Sequence, residues 1–382
     1  MHTRHLAAAF MAASLALPAL ADDRPLAQKY LDGDAPLSTP FEYDGPTITF
    51  RYSTFLGSAG ATPDLYRAAW ARLAEDTGGR IVIQPFWSNS LADGQTGAFE
   101  AVASGLADMG TCYTQLNPGG FDLHFGIQLP TLFRDSSIGT LVFNDIYASH
   151  LRETYERRGV YLARLGLTPP QQLYSKTPIR SLDDMRGKRA WSSGTVAGMS
   201  VAALGLEPTA LRISEMYPGF QSGVLDVVPM HDAGAPLFRI NEIASYRTPV
   251  DLWTNPNEHC VNRRVWDNLP DPVKTYLYHW MQVWTQVESQ LYYDAAAAQA
   301  REQMLAEGIT FIDLDEATRA EIAERYAGVI ETWIAEQEAA GRPAAEMVAT
   351  MMELRDTYAA MSPDERMQMV LDSPQPGLMP GF

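Results

Sequence analysis

Seven histidines and two cysteines are the side chains best suited to covalent or metal chemistry in this 382-residue chain, and their spacing does not favour it. His2, His5, His124, His150, His231, His259 and His279 form no H-E-x-x-H or other close metal pair. Cys112 and Cys260 are too far apart for a C-x-x-C motif. There is no G-x-S-x-G elbow, no Walker loop, and no G-x-G-x-x-G opening a helix after a strand. His259 and Cys260 are adjacent, but strand neighbours point to opposite faces, so they make a poor nucleophile–base pair. These absences favour a binding protein over an enzyme, with no cofactor and no metal expected.

The composition narrows the partners. Hydrophobic residues make up 46% and charged residues 20%, the balance of a folded chain long enough for about two domains. The net charge of −17 argues against a nucleic-acid partner, because phosphate backbones need basic surfaces. Two cysteines rule out a disulfide scaffold. Their pairing is not expected, since a bond between strands near a cleft could hinder its closure.

The first 21 residues read as an export signal. Arg4 gives a basic start, Leu6 to Leu17 is apolar, and Ala19-Leu20-Ala21 is a small-x-small cleavage site. Cleavage after Ala21 removes Arg4 and no acid, leaving a mature chain one unit more negative. No cysteine follows the site, so lipid anchoring is not indicated. The expected location is the periplasm.

The elements that must position any site alternate. Thr47 to Tyr52, Arg80 to Phe86 and Ala107 to Tyr113 have strand patterns, with helical patterns at Asp64 to Asp76 and Thr96 to Ser104 between them. This β-α-β-α-β order predicts a parallel sheet flanked by helices. The rhythm returns with strands at Gly159 to Gly166, Lys188 to Trp191 and Val224 to Pro229, and helices at Val196 to Leu204 and Ser214 to Ser222. Two such α/β units predict two lobes with a cleft between them. Asp271 to Glu307 is one long helical stretch, Glu316 to Ala339 another. The Asp- and Pro-rich residues 22–46 read as a leader or linker. Residues 343–382 read as an appended helical tail, whose Met347, Met351 and Met352 suit a core or self-association face.

Five segments resemble the solute-binding subunit of TRAP (tripartite ATP-independent periplasmic) transporters of the C4-dicarboxylate-binding type. They are EDTGGRIVIQPFWSNSLADG at Glu75 to Gly94, EAVASGLADMG at Glu100 to Gly110 with LPTLF at Leu129 to Phe133, SKTPIRSLDDMRGKR at Ser175 to Arg189, ISEMYPGFQSGVLDVV at Ile213 to Val228, and NRRVWDNLPDPVK at Asn262 to Lys274. The resemblance implies two α/β lobes closing on a small solute, a long helix crossing both, and membrane permease subunits as partners. The protein itself is then a monomer or homodimer. It places lobe I at residues 47–168 and 257–296, lobe II at 169–256 and 297–342, and the hinges near Leu165 to Pro170 and Pro256 to Asn262.

The resemblance also implies a departure at the ligand. An arginine that clamps carboxylates in the family falls on Trp191 here, and a second falls on Gln171. Carried over one at a time, the remaining cleft positions are Asp93, Tyr113, His231 and Asp232, with Tyr217, Trp253 and Glu258 as further candidates. Loss of two cations, gain of an aromatic face and nearby carboxylates suit a small amine or quaternary ammonium. A neutral polar or aromatic solute is the next choice. An organic acid with its anchor moved to Arg189 or Lys188 is the rival, and an exported enzyme or ligand sensor on the same fold is the alternative class.

Overall fold

The computed structural model describes residues 22–94, 96–116, 119–192 and 194–382. The export signal and its cleavage point lie outside these residues.

Alternating β-branched and aromatic residues build two separate sheets. The first lobe holds five strands, β1 (Ile48–Ser53), β2 (Ile81–Phe86), β3 (Met109–Thr111), β4 (Val160–Leu167) and β10 (Pro256–Asn262), in the order β2-β1-β3-β10-β4. The second holds β5 (Gln172–Ser175), β6 (Arg189–Trp191), β7 (Glu207–Thr209), β8 (Val227–Met230), β9 (Tyr246–Thr248) and β11 (Thr310–Phe311), in the order β11-β9-β5-β8-β6-β7. The expected α/β two-lobe architecture is therefore present. The sheets are mixed, not parallel as the alternation suggested. β10 runs antiparallel to β3 and β4, because the chain re-enters the first lobe from the second.

Two extended segments make that crossing side by side. Thr168 N–H donates to the Asn255 carbonyl and Gln171 N–H to that of Trp253, each at 2.9 Å. The third connection is helical. Asp271–Val287 passes into a π-helical segment, Glu288–Ala295, and continues as Ala296–Ala306. A π-segment shifts the side chains that follow out of α-helical phase. Here it carries Tyr292 and Tyr293, both buried where the lobes meet.

Cys112 and Cys260 form a disulfide, with Cα atoms 5.9 Å apart. This corrects the expectation of two free thiols. Cys112 directly follows β3 and Cys260 lies on β10, neighbouring strands of one sheet, and Cys112 N–H donates to the Glu258 carbonyl at 2.9 Å. The bond therefore constrains the first lobe alone and does not span the cleft.

Both ends of the chain pack on the first lobe. Leu26–Asp32 is a helix that buries Tyr30 and meets the helix Pro363–Asp372, where Asp364 accepts from Leu26 N–H at 2.9 Å. Residues 22–46 thus contain a docked element and are not merely a linker. In the tail, Ala344–Ala359 lies against the helix Ser136–His150, and Tyr358 Oη donates to Asp145 at 2.6 Å. Met347 and Met351 join the first lobe's core, while Met352 remains exposed.

Candidate ligand cleft

The strand β6 shows how the cleft is furnished. Its outer residue, Arg189, forks onto Asp226 at 2.9 Å from both Nε and Nη2 and lines no part of the cleft. Two residues on, at the other end of the strand, Trp191 lines the cleft, and its indole N–H donates to the Leu211 carbonyl at 3.0 Å. The fork on Asp226 occupies the guanidinium the rival organic-acid reading needed.

Trp191, Tyr113 and His231 come together in a slot of about 80 Å³ between the lobes. Phe55 and Tyr293 close it from the first lobe and the crossing helix, and Phe238 from the second. Asn255, Asn257, Gln115 and Thr168 supply polar groups, and Met216 and Met230 apolar floor. Asn257 Nδ2 donates to Tyr293 Oη, which fixes both side chains. The buried Gln115 Oε1 has no hydrogen-bond partner among the described residues and is an acceptor available to a solute. No charged side chain lines the slot among these residues.

Burial pushes the His231 pKa down to about 4. Gly234 N–H donates to its Nδ1 at 3.1 Å, so the neutral ring carries its proton on Nε2. Tyr293 meets the ring edge-on at 5.7 Å. This has a consequence for stability. The unfolded ring protonates near 6.5 and the folded one near 4, so the unfolded state takes up protons first as pH falls. Stability is then lost across that window. The His231 share should be roughly 2–3 kcal/mol between pH 7 and 4.5. Urea unfolding of wild type and His231→Asn at both pH values measures it; an equal loss in the two proteins would disprove it.

The other sequence candidates stand elsewhere. Asp93 is exposed and lines a wider mouth of about 840 Å³ outside the slot. Asp232 is buried behind His231, where it accepts from Arg247 twice at 2.8 Å, from Tyr174 Oη at 2.7 Å and from Arg301 at 3.0 Å. Burial opposes its charge, but the Arg247 fork and the hydrogen bonds from Tyr174 and Arg301 outweigh it, and its pKa is lowered. Glu258 is fully buried, accepting from Thr114 N–H at 3.2 Å with His124 Nε2 at 2.7 Å. Gln171 donates to Thr168 Oγ1 at 3.1 Å within the crossing segments. Trp253 is core and donates to Asn255 Oδ1 at 2.9 Å. Tyr217 sits on the second lobe's surface, donating to Glu242 at 3.2 Å under the Arg239 guanidinium. None of these five lines the slot or its mouth.

Phe55, Gln115, Asn255, Asn257, Phe238 and Tyr293 are among the cleft residues the sequence reading missed. Strand alternation could have found one of them. Asn257 immediately precedes Glu258 on β10, and only one of two strand neighbours can face the cleft.

The model of the bacterial extracellular solute-binding protein family 7 matches residues 64–337. Over 182 residues the chain is 26% identical to the C4-dicarboxylate-binding periplasmic protein DctP of Rhodobacter capsulatus, covering 47% of this chain and 53% of that one. The chain thus spans about half the length of the curated relatives it matches. Among solved structures, a marine metagenome TRAP solute-binding protein specific for aromatic acid ligands, in complex with 3-hydroxybenzoate, is similar with a TM-score of 0.76 at 17% identity, over 82% of this chain and 99% of that one. A TRAP periplasmic solute-binding protein from Desulfovibrio salexigens in an open complex has a TM-score of 0.72 at 22% identity, over 82% and 98% of the two chains. At such identities these structures establish the fold. The family match over most of the chain does more: this protein belongs to the bacterial extracellular solute-binding protein family 7.

Proposed function

We propose that the protein is an exported, periplasmic solute-binding subunit of a TRAP-type secondary transporter, which captures a small organic solute between its lobes and presents it to membrane permease subunits. The observation that carries this reading is the slot where the lobes meet, furnished by aromatic and uncharged polar side chains from both sheets and the crossing helix. Such a lining suits noncovalent capture of a small solute.

The slot's chemistry bears on the ligand. The amine reading needed a carboxylate beside Trp191, and Asp232 has its acceptor positions filled by two arginines and a tyrosine. Asp93 is at the mouth, not in the slot. The group that enters the slot is accordingly uncharged, flat or apolar, with polar atoms for Gln115, Asn257 and His231. That two of the similar structures carry aromatic acids, 3-hydroxybenzoate and copurified benzoate, is in keeping with a ring-bearing solute.

A thermal-shift screen of ring-bearing solutes on the mature chain tests the reading. A true ligand at 100 times its Kd should stabilise by about 2.7 kcal/mol. Trp191→Ala should lose the shift. A library that leaves the melting temperature unmoved, or a shift indifferent to Trp191, would refute the assignment of the slot.

A further inference from the structure

The slot is uncharged, but the mouth it opens into carries two side chains of opposite sign. Asp93 stands on the first lobe and Arg212 on the second, and both line the cavity that shares Phe55, Ile213 and Phe238 with the slot. Both are exposed, and neither enters an ion pair among the described residues. Their neighbours behave differently: Arg189, Arg239, Arg247 and Arg301 are all paired with carboxylates. Each of the two is also held in place. Arg212 directly precedes the helix Ile213–Ser222, and Glu215 accepts its backbone N–H at 3.0 Å. Asp93 ends a loop in which Ser88 and Asn89 take left-handed conformations, φ 56° and 54°, and Asn89 Nδ2 donates to the Gly94 carbonyl at 2.7 Å.

We propose that the mouth is a charge-matching head-group site, and that the preferred solute is a zwitterion with a ring or apolar tail, of the α-amino acid type. The proposal rests on the reading of the slot as the solute site. The tail fills the slot and the head group stays in the wider mouth. The carboxylate meets Arg212 and the ammonium meets Asp93. A simple acid gains Arg212 but faces Asp93, a simple amine has the reverse conflict, and a neutral solute uses neither charge. Because the two groups belong to different lobes, a zwitterion that satisfies both also favours the closed arrangement over the open one.

Calorimetry on the mature protein with four probes that share a phenyl ring separates the cases. The probes are L-phenylalanine, 3-phenylpropionate, phenethylamine and 3-phenylpropan-1-ol. Phenylalanine should bind at least tenfold more tightly than the other three. Arg212→Gln should reduce it to the level of phenethylamine, and Asp93→Asn to that of 3-phenylpropionate. Both positions are exposed, so folding is checked by circular dichroism alone. A singly charged or neutral probe that equals phenylalanine would overturn the proposal. So would affinities indifferent to both variants. If a probe then still requires Trp191, the slot stands as the solute site and only the head-group assignment falls. A wild type that binds none of the four overturns the zwitterion class, and the wider solute screen decides the slot.

Discussion

Removing the Cys112–Cys260 bridge, as Cys112→Ala with Cys260→Ala, should lower the stability of the protein by about 4–5 kcal/mol. The bridge closes a loop with a sequence separation of 148, which includes the whole second sheet except β11. Cross-linking so long a loop removes much conformational freedom from the unfolded chain, and the chain-entropy relation gives about 5 kcal/mol for it. The native side of the balance changes little. Both cysteines are fully buried, and each alanine deletes a single sulfur from a core that includes Val261, Met109 and Leu162. Urea midpoints of the wild type and the double variant measure the difference. A loss under about 1 kcal/mol would show that the bridge is incidental to folding. Ligand-driven closure should survive the substitution, because the bond joins two segments of one sheet and leaves the connections between lobes untouched.

What the sequence showed and what it hid divide along a physical line. Periodicity located the strands Ile48–Ser53 and Ile81–Phe86 and the helix Glu316–Ala339 almost to the residue, because their patterns are local. Trp191 emerged because a departure from a motif is visible by counting. The direction of β10 was not visible, since it depends on a chain path that leaves one lobe and returns. For the same reason the cysteine pair was missed: nothing within reach of either residue signals that β3 and β10 are neighbours.

Asp232 and Glu258 were placed in the cleft for a related reason. Asp232 looked like a ligand for a cation because its own neutralising partners, Arg247 and Arg301, lie 15 and 69 residues further on. Glu258 was chosen where the cleft-facing residue is Asn257, a one-residue slip that moves a strand side chain to the opposite face. Arg212 drew no notice, because an unpaired charge is defined by the absence of partners and only a folded chain reveals that. Sequence thus specified where the cleft is, and tertiary pairing decided which of its charges are free.

The first lobe's interior holds the second large effect. Arg164→Met should cost about 3–5 kcal/mol, and so should Glu288→Gln. Arg164, on β4, is 4% exposed, and its guanidinium lies between the rings of Tyr66 and Trp284, each 5.5 Å from its centre. One arm donates to Glu288, which is fully buried on the π-helical segment, and the other to His259 Nε2 at 2.8 Å. Tyr66 Oη donates to the second Glu288 oxygen at 2.9 Å. Burial disfavours the Arg164 cation, yet the charge of Glu288 holds its pKa above the usual arginine value. Removing either partner strands a charge with no route to water, and that stranded charge, not the lost attraction, dominates the cost. The double variant should therefore be more stable than the sum of the single losses implies, by at least about 2 kcal/mol. The site has room for little else: a Cβ at Gly166, two residues along β4 from Arg164, would stand 2.9 Å from Glu288 Oε2. Because Glu288 opens the π-segment that carries Tyr292 and Tyr293 to the slot, the single variants should also weaken solute binding, while a distant variant of equal stability loss should not. Urea unfolding and calorimetry on the four proteins of the cycle measure both effects. Additive stability losses would refute the charge-pair account, and unchanged binding in the single variants would detach this network from the cleft.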